Sequence, residues 1–150
     1  MIERAQRPGD VHAGKWNGLG GKLLPEESPA EGAAREFQEE AGLSLCAQDL
    51  QQLGKLEFPR FKRSKGSEGS DGWEDWQVEV FGCELDASAQ IRDSCEEGSL
   101  HWVPYDEVLR KNLWPGDRLF LPYVLREPPQ RFSGRIEYEA GEVKRFWIGP

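Results

Sequence analysis

Three glutamates in one short stretch offer the clearest chemistry in the chain. From Gly21 to Leu43 the sequence reads GKLLPEESPAEGAAREFQEEAGL. Five residues separate Gly21 from Glu27, and seven separate Glu27 from Arg35. Arg35-Glu36-Phe37, Glu39-Glu40 and Gly42-Leu43 follow. On a helix, Glu36 and Glu40 stand one turn apart, a spacing at which like charges destabilise the element. An acidic helix face is ordinarily a solvated one. Here the face continues a glycine-rich loop, Gly18, Gly20 and Gly21, at fixed spacing. Clustered oxygen ligands of this kind suit Mg²⁺ or Mn²⁺, and a bound cation would relieve the repulsion.

The flanking residues predict the element that carries these acids. Ser28 is a good N-cap, Pro29 suits the first helical position, and Glu31 completes a capping box with Ser28. Gly42 is a natural left-handed stop. A helix is therefore predicted from Pro29 to Ala41. At roughly 100° per residue, Ala30, Ala33, Ala34, Phe37 and Ala41 share one face. Glu36, Glu39 and Glu40 share another, with Arg35 beside them.

The stretch resembles the Nudix box, glycine-x5-glutamate-x7-Arg-Glu-apolar-x-Glu-Glu-x-Gly-apolar, and all nine fixed positions are filled. The resemblance implies an α/β/α sandwich with a mixed sheet and hydrolysis of a phosphate anhydride. A polyphosphate chain repels nucleophiles, so its cleavage needs charge neutralisation, an in-line water and a base. Glu36 and Glu40 are the foremost candidate metal ligands, and the resemblance adds the Gly20 carbonyl as a third. Glu39 is placed to bind a second metal or, oriented by Arg35, to help position the water. Glu27 would brace the loop by pairing with Arg35, and Gly21 and Gly42 are structural within the motif. A further acid is expected from outside the box. Glu96-Glu97 is the candidate, with Glu97 preferred, as a metal ligand or a base. Surface decoration is the competing reading of that pair.

The likeness extends beyond the box. Lys15-Trp16-Asn17-Gly18-Leu19-Gly20-Gly21-Lys22 and Trp114-Pro115-Gly116-Asp117 resemble the mammalian-type oxidised-purine nucleoside triphosphatases, the 8-oxo-dGTP diphosphatases of the MutT group. That resemblance implies that Asn17 and Trp114 hold the base, Trp114 by stacking, and that Phe58 lines the same pocket. Core packing is the rival role for Trp114. Lys22 is placed to meet a phosphate, or is an ordinary surface lysine. The family pattern has two adjacent acids after Trp-Pro, and here Gly116 precedes Asp117, so only the second acid remains. Asp117 alone, ionised, would act as an acceptor and favour bases that present N–H donors. The implied substrate is an oxidised purine nucleoside triphosphate, cleaved to a monophosphate and pyrophosphate.

The whole chain sets outer limits. Its 150 residues suit one domain with one core. Net charge is −8, which argues against a polymeric nucleic-acid partner, whose binding is mostly phosphate neutralisation. A small polyphosphate remains open, because bound metal supplies positive charge. The three cysteines, Cys46, Cys83 and Cys95, show no zinc spacing and read as reduced thiols. No apolar run spans a bilayer and MIERAQRPGD is no signal peptide, so the expected compartment is the cytoplasm and no membrane partner is expected.

In chain order, Met1 to Arg4 reads as the tail of a strand, so the sandwich is expected with its first strand shortened or missing. Arg7 to Gly14 is a turn-rich loop. Strands are predicted over Leu53–Phe61, Trp76–Leu85 and Ser99–Val103, with a glycine- and serine-rich loop over Lys62–Asp75 that is either a lid or a hairpin loop. Helices are predicted over Tyr105–Lys111 and from Asp117, and two strands around Ala140-Gly141-Glu142. Two other functions compete. Pro59, sixteen residues after Leu43, resembles a feature of ADP-ribose pyrophosphatases, although a proline kink at a strand edge would account for it. A Nudix-fold binding module without turnover is the other, but such modules lose box glutamates that are all present here.

Overall fold

The computed structural model describes residues 1–6, 9, 11–63 and 72–150. In chain order the elements are β1 (Ile2–Arg4), β2 (Trp16–Asn17), α1 (Pro29–Ala41), a single 3-10 turn (Ala47–Asp49), β3 (Gln51–Arg63), β4 (Trp73–Gly82), β5 (Ser94–Cys95), β6 (Gly98–Leu100), α2 (Tyr105–Val108), α3 (Asp117–Val124), β7 (Phe132–Glu139) and β8 (Glu142–Gly149). The chain divides into two compact units. One is Met1–Gln51 with Phe81–Trp114, and the other is Gln52–Val80 with Pro115–Pro150.

The first unit is built on a four-stranded sheet in the order β2-β1-β6-β5, with antiparallel neighbours. Ile2 pairs with Asn17 on one side and Leu100 on the other, and is 1 % exposed. The opening residues are therefore an inner strand of this sheet. Three residues suffice because both edges of β1 are bonded and its one apolar side chain is buried. Ile2, Ala41 and Leu100 form this unit's apolar centre, with Leu19, Phe37, Ile91 and Cys95 packed against it.

Helix α1 spans the predicted residues. The capping box is complete: Ser28 Oγ accepts the Glu31 N–H at 3.3 Å, and the Glu31 carboxylate accepts the Ser28 N–H at 2.9 Å. Gly42 closes the helix in the left-handed region at φ 79°, where a Cβ would be strained. The last turn carries no basic residue of its own. Arg92 supplies the charge there, its Nη1 donating to the Glu39 carbonyl at 3.1 Å.

The second unit holds the sheet β4-β3-β7-β8, in which β3 and β7 are parallel and β7 and β8 antiparallel. This gives the mixed sheet expected of the sandwich. Leu53, Leu56, Phe58, Phe132 and Ile136 are its buried centre. The β7–β8 turn places Ala140 at φ 52° and Gly141 at φ 85°, the two left-handed positions of a tight hairpin. Ala140→Gly should raise stability by about 1 kcal/mol, because a Cβ is disfavoured at positive φ. An unchanged or lower thermal midpoint would contradict that.

Several expected boundaries shift. Strands β3 and β4 run past the predicted limits, so both ends of the predicted 62–75 loop are strand. Its centre, residues 64–71, lies outside the described residues, as do 7, 8 and 10 of the N-terminal loop. The helix predicted over Tyr105–Lys111 stops at Val108 and continues as turns. Strand β4 ends at Gly82, short of Leu85, and the third strand is Gly98–Leu100 rather than Ser99–Val103. The two-residue strands β2 and β5 are too short to leave an alternating pattern. Pro59 falls inside β3, next to Arg60 at φ 51°, whose N–H is taken by Asp75 Oδ1 at 2.8 Å. It sits at a local irregularity of the strand, beyond the Gly54–Glu57 residues that pair with β7.

Candidate active site

Arg35 is the hub of the acidic helix face. Its Nε and Nη2 grip the two oxygens of Glu27 at 2.9 and 3.0 Å, a bidentate pair. Its Nη1 reaches Glu36 Oε1 at 2.8 Å and Glu39 Oε2 at 3.3 Å, and Nη2 also donates to the Lys22 carbonyl at 3.0 Å. Glu27 in turn accepts the Leu24 N–H at 2.9 Å. The hydrogen bond from Arg35, then that from Leu24, holds the Glu27 carboxyl below its ordinary pKa. One guanidinium thus ties the loop before the helix to its acidic face, which is the bracing expected of Glu27.

Glu40 differs from its neighbours. It is 7 % exposed, the buried charged residue of the described chain, whereas the Glu39 side chain is 59 % exposed. Its Oε2 accepts the Gly20 N–H at 2.9 Å. Gly20 lies at φ 144°, backbone that suits glycine and aims this amide at the helix. Burial pushes the Glu40 carboxyl up to about 7, and the nearby Glu97 and Glu36 charges push the same way. The Gly20 hydrogen bond and Arg4 act in the opposite direction without cancelling the rise. Glu36 presses close to the loop: a Cβ at Gly21 would fall 2.2 Å from Glu36 Oε1, so a side chain there would displace the Glu36 carboxylate.

Glu97 joins this group from the β5–β6 turn, paired with Arg4 on β1. The Glu97 charge acts on Glu40 and raises its pKa. Arg4 was not legible as a partner. A single basic residue near the start of a chain carries no pattern.

Arg4 and the Met1 ammonium act on Glu40 as positive charges, and the groups that face it as candidate ligands, Glu36 and Glu97, are oxygen donors. This donor set fits a hard divalent cation. Among the described residues no three His, Cys, Asp or Glu side chains already converge on one point. Glu36 and Glu97 are instead held by Arg35 and Arg4.

The base-holding candidates divide between the units. Asn17 lies on β2, and its Oδ1 is buried without a hydrogen-bond partner among the described residues. A buried acceptor left unpaired is costly and suits a ligand donor. Trp114, half-buried, has the His12 ring edge-on at 5.3 Å and Lys15 Nζ at 5.0 Å from its centroid. Lys15 Nζ is fixed by Asn112 Oδ1 at 3.0 Å and the Leu113 carbonyl at 3.3 Å. Lys22 is exposed. In the second unit Phe58 is 9 % exposed and belongs to the core. Asp117 opens α3.

The three free cysteines form no disulfide. No helix of the described residues is long and apolar enough to cross a membrane.

Comparison with known proteins agrees with the geometry. The family model described as the NUDIX domain matches residues 1–124. The chain is 30% identical over 127 residues to the oxidized purine nucleoside triphosphate hydrolase of Mus musculus, covering 85% of this chain and 72% of the relative. It is 28% identical over 131 residues to the protein of the same name from Danio rerio, covering 87% and 74%. A mutator MutT protein from Bacillus halodurans has a similar solved fold, at TM-score 0.75 and 23% identity, over 98% of this chain and 86% of that one.

Proposed function

Because the chain belongs to the Nudix family, we propose that it hydrolyses purine nucleoside triphosphates, including oxidised ones such as 8-oxo-dGTP, to a monophosphate and pyrophosphate. Such an activity removes damaged nucleotides from the precursor pool. The observation that carries the reading is Glu40: buried, bonded to Gly20, and faced by Glu36 and Glu97 on a complete box. The activity for which the relatives are named supports the substrate class. The family model runs through parts of both units, which supports reading residues 1–150 as one catalytic domain.

Glu36, Glu39, Glu40, Glu97 and the Gly20 carbonyl are the groups proposed to hold Mg²⁺ or Mn²⁺. Bound there, the cation supplies charge neutralisation and activation of water. Arg35 holds Glu36 and Glu39 in place and orients the water-positioning carboxylate. Lys22 takes a phosphate oxygen. Asn17 Oδ1 accepts an N–H of the base, Trp114 offers its face for stacking, Phe58 gives an apolar wall, and Asp117 accepts from the purine edge. The proposed partner is a small nucleotide in the cytoplasm, with neither polymeric nucleic acid nor membrane.

Rates of pyrophosphate release across normal and oxidised nucleoside triphosphates, with ADP-ribose as the competing substrate, test this function. A preference for ADP-ribose would overturn it. Within the base pocket, Trp114→Ala is expected to raise KM for the preferred nucleotide about tenfold or more, since aromatic stacking on a base is worth about 1–3 kcal/mol. An unmoved KM and substrate ranking in a folded variant would assign Trp114 to packing.

A further inference from the structure

The missing acid at position 116 is matched by a tyrosine from another strand. Gly116 is buried just before α3, and its N–H donates to Tyr138 Oη at 2.7 Å. A Cβ at Gly116 would lie 2.4 Å from that oxygen, 3.3 Å from Tyr138 Cζ and 3.4 Å from Ile136 Cδ1. No side chain fits at 116 while the Tyr138 hydroxyl stands there. The ring is fixed in turn by its neighbours. Phe58 stacks at 6.3 Å between centroids, and Phe61 meets it edge-on at 5.8 Å. Ile136 and Tyr138 stand two residues apart on β7 and both reach Gly116, so the strand itself delivers the hydroxyl to the turn.

A phenol accepts through its oxygen and donates through its one proton. The Gly116 N–H uses an acceptor position and leaves the proton for another partner. Burial raises the Tyr138 pKa above its ordinary value, and the Asp117 and Glu142 charges raise it further, so the group stays neutral at physiological pH. Asp117 directly follows Gly116, the residue bonded to this hydroxyl.

Resting on the function proposed above, we propose that Tyr138 is a specificity-determining residue. Its hydroxyl takes the space of the absent side chain at 116 and donates to an acceptor on the purine edge, beside the accepting carboxylate of Asp117. The pair offers one fixed donor and one fixed acceptor group. Two adjacent carboxyls sharing a proton can exchange these roles, but a neutral phenol beside a carboxylate does not. A guanine-type edge presents a carbonyl oxygen next to two N–H donors and satisfies the pair with three hydrogen bonds. An adenine-type edge presents one ring nitrogen and one amine, and satisfies it with two.

Three variants test the idea: Tyr138→Phe, Gly116→Asp and the two combined. Each is read by kcat/KM for dGTP, 8-oxo-dGTP and dATP, and by thermal unfolding. Tyr138→Phe is expected to lower the guanine-to-adenine ratio of kcat/KM about tenfold, since a polar site left unpaired discriminates strongly. Gly116→Asp alone should lower the thermal midpoint through its clash with the hydroxyl. Adding Tyr138→Phe should recover part of that loss, a non-additivity diagnostic of contact. If Tyr138→Phe fails to fold, the double variant carries the test, with the same tenfold fall expected. An unchanged ratio in the folded variants, or strictly additive midpoints, overturns the proposal for Tyr138 while leaving the triphosphatase reading intact. Absence of turnover of every nucleoside triphosphate by the wild type overturns both.

Discussion

Glu40→Gln is expected to abolish most turnover while leaving the fold at least as stable. Glutamine keeps the shape of the side chain, and its Oε1 still accepts the Gly20 N–H now made to Glu40. The substitution removes a buried charge that Glu97 and Glu36 repel. The attractions to Arg4 and the Met1 ammonium go with it, but they do not outweigh burial and like charge, so the folded chain without metal should not suffer. What it loses is the anionic oxygen for a hard cation. Charge stabilisation by a bound metal is worth several kcal/mol, and each 1.36 kcal/mol is tenfold, so kcat should fall on the order of a thousandfold. Mg²⁺ titration by calorimetry and thermal unfolding without metal separate the two effects. Wild-type turnover at equal Mg²⁺ would remove Glu40 from the chemistry. A collapsed thermal midpoint would make it a structural residue.

Arg35→Lys should cost about a hundredfold in kcat, although it conserves charge. The guanidinium serves Glu27 through two parallel bonds, and Glu36, Glu39 and the Lys22 carbonyl besides. A lysine is a point charge without the planar fork, so it cannot hold these groups in one geometry. Released, Glu36 and Glu39 would drift relative to Glu40, and misplacement by about 1 Å can cost about a hundredfold. Mg²⁺ affinity should suffer less than in Glu40→Gln, because every carboxylate remains. Equal losses of affinity in the two variants would mean that Arg35 acts only through the metal ligands' charge. An unchanged kcat would show that its bonds are incidental.

How much was legible in the sequence depended on how local the signal was. Helix α1 could be read residue for residue because Ser28, Pro29, Glu31 and Gly42 act within one turn of the positions they fix. The Glu27–Arg35 pair was expected from the resemblance of the box, and its partners lie within one loop and one helix. The burial of Glu40 did not. Periodicity placed it with Glu36 and Glu39 on the acidic face, but Gly20 and the sheet residues that enclose it come from elsewhere in the chain. Arg4 and Tyr138 were silent for the same reason. Arg4 meets Glu97, and Tyr138 meets Gly116, only through strand pairing and turn placement. The glycine at 116 looked like the plain loss of an acid. The structure gives it a reason, since a tyrosine hydroxyl stands where the side chain would be.

The most direct test of the central claim is the phosphate product formed from 8-oxo-dGTP, measured with Mg²⁺ and with the metal chelated. The expected result is pyrophosphate and 8-oxo-dGMP in equal amounts with Mg²⁺, and neither after chelation. Release of orthophosphate with a nucleoside diphosphate, or hydrolysis that continues undiminished without metal, would contradict the account.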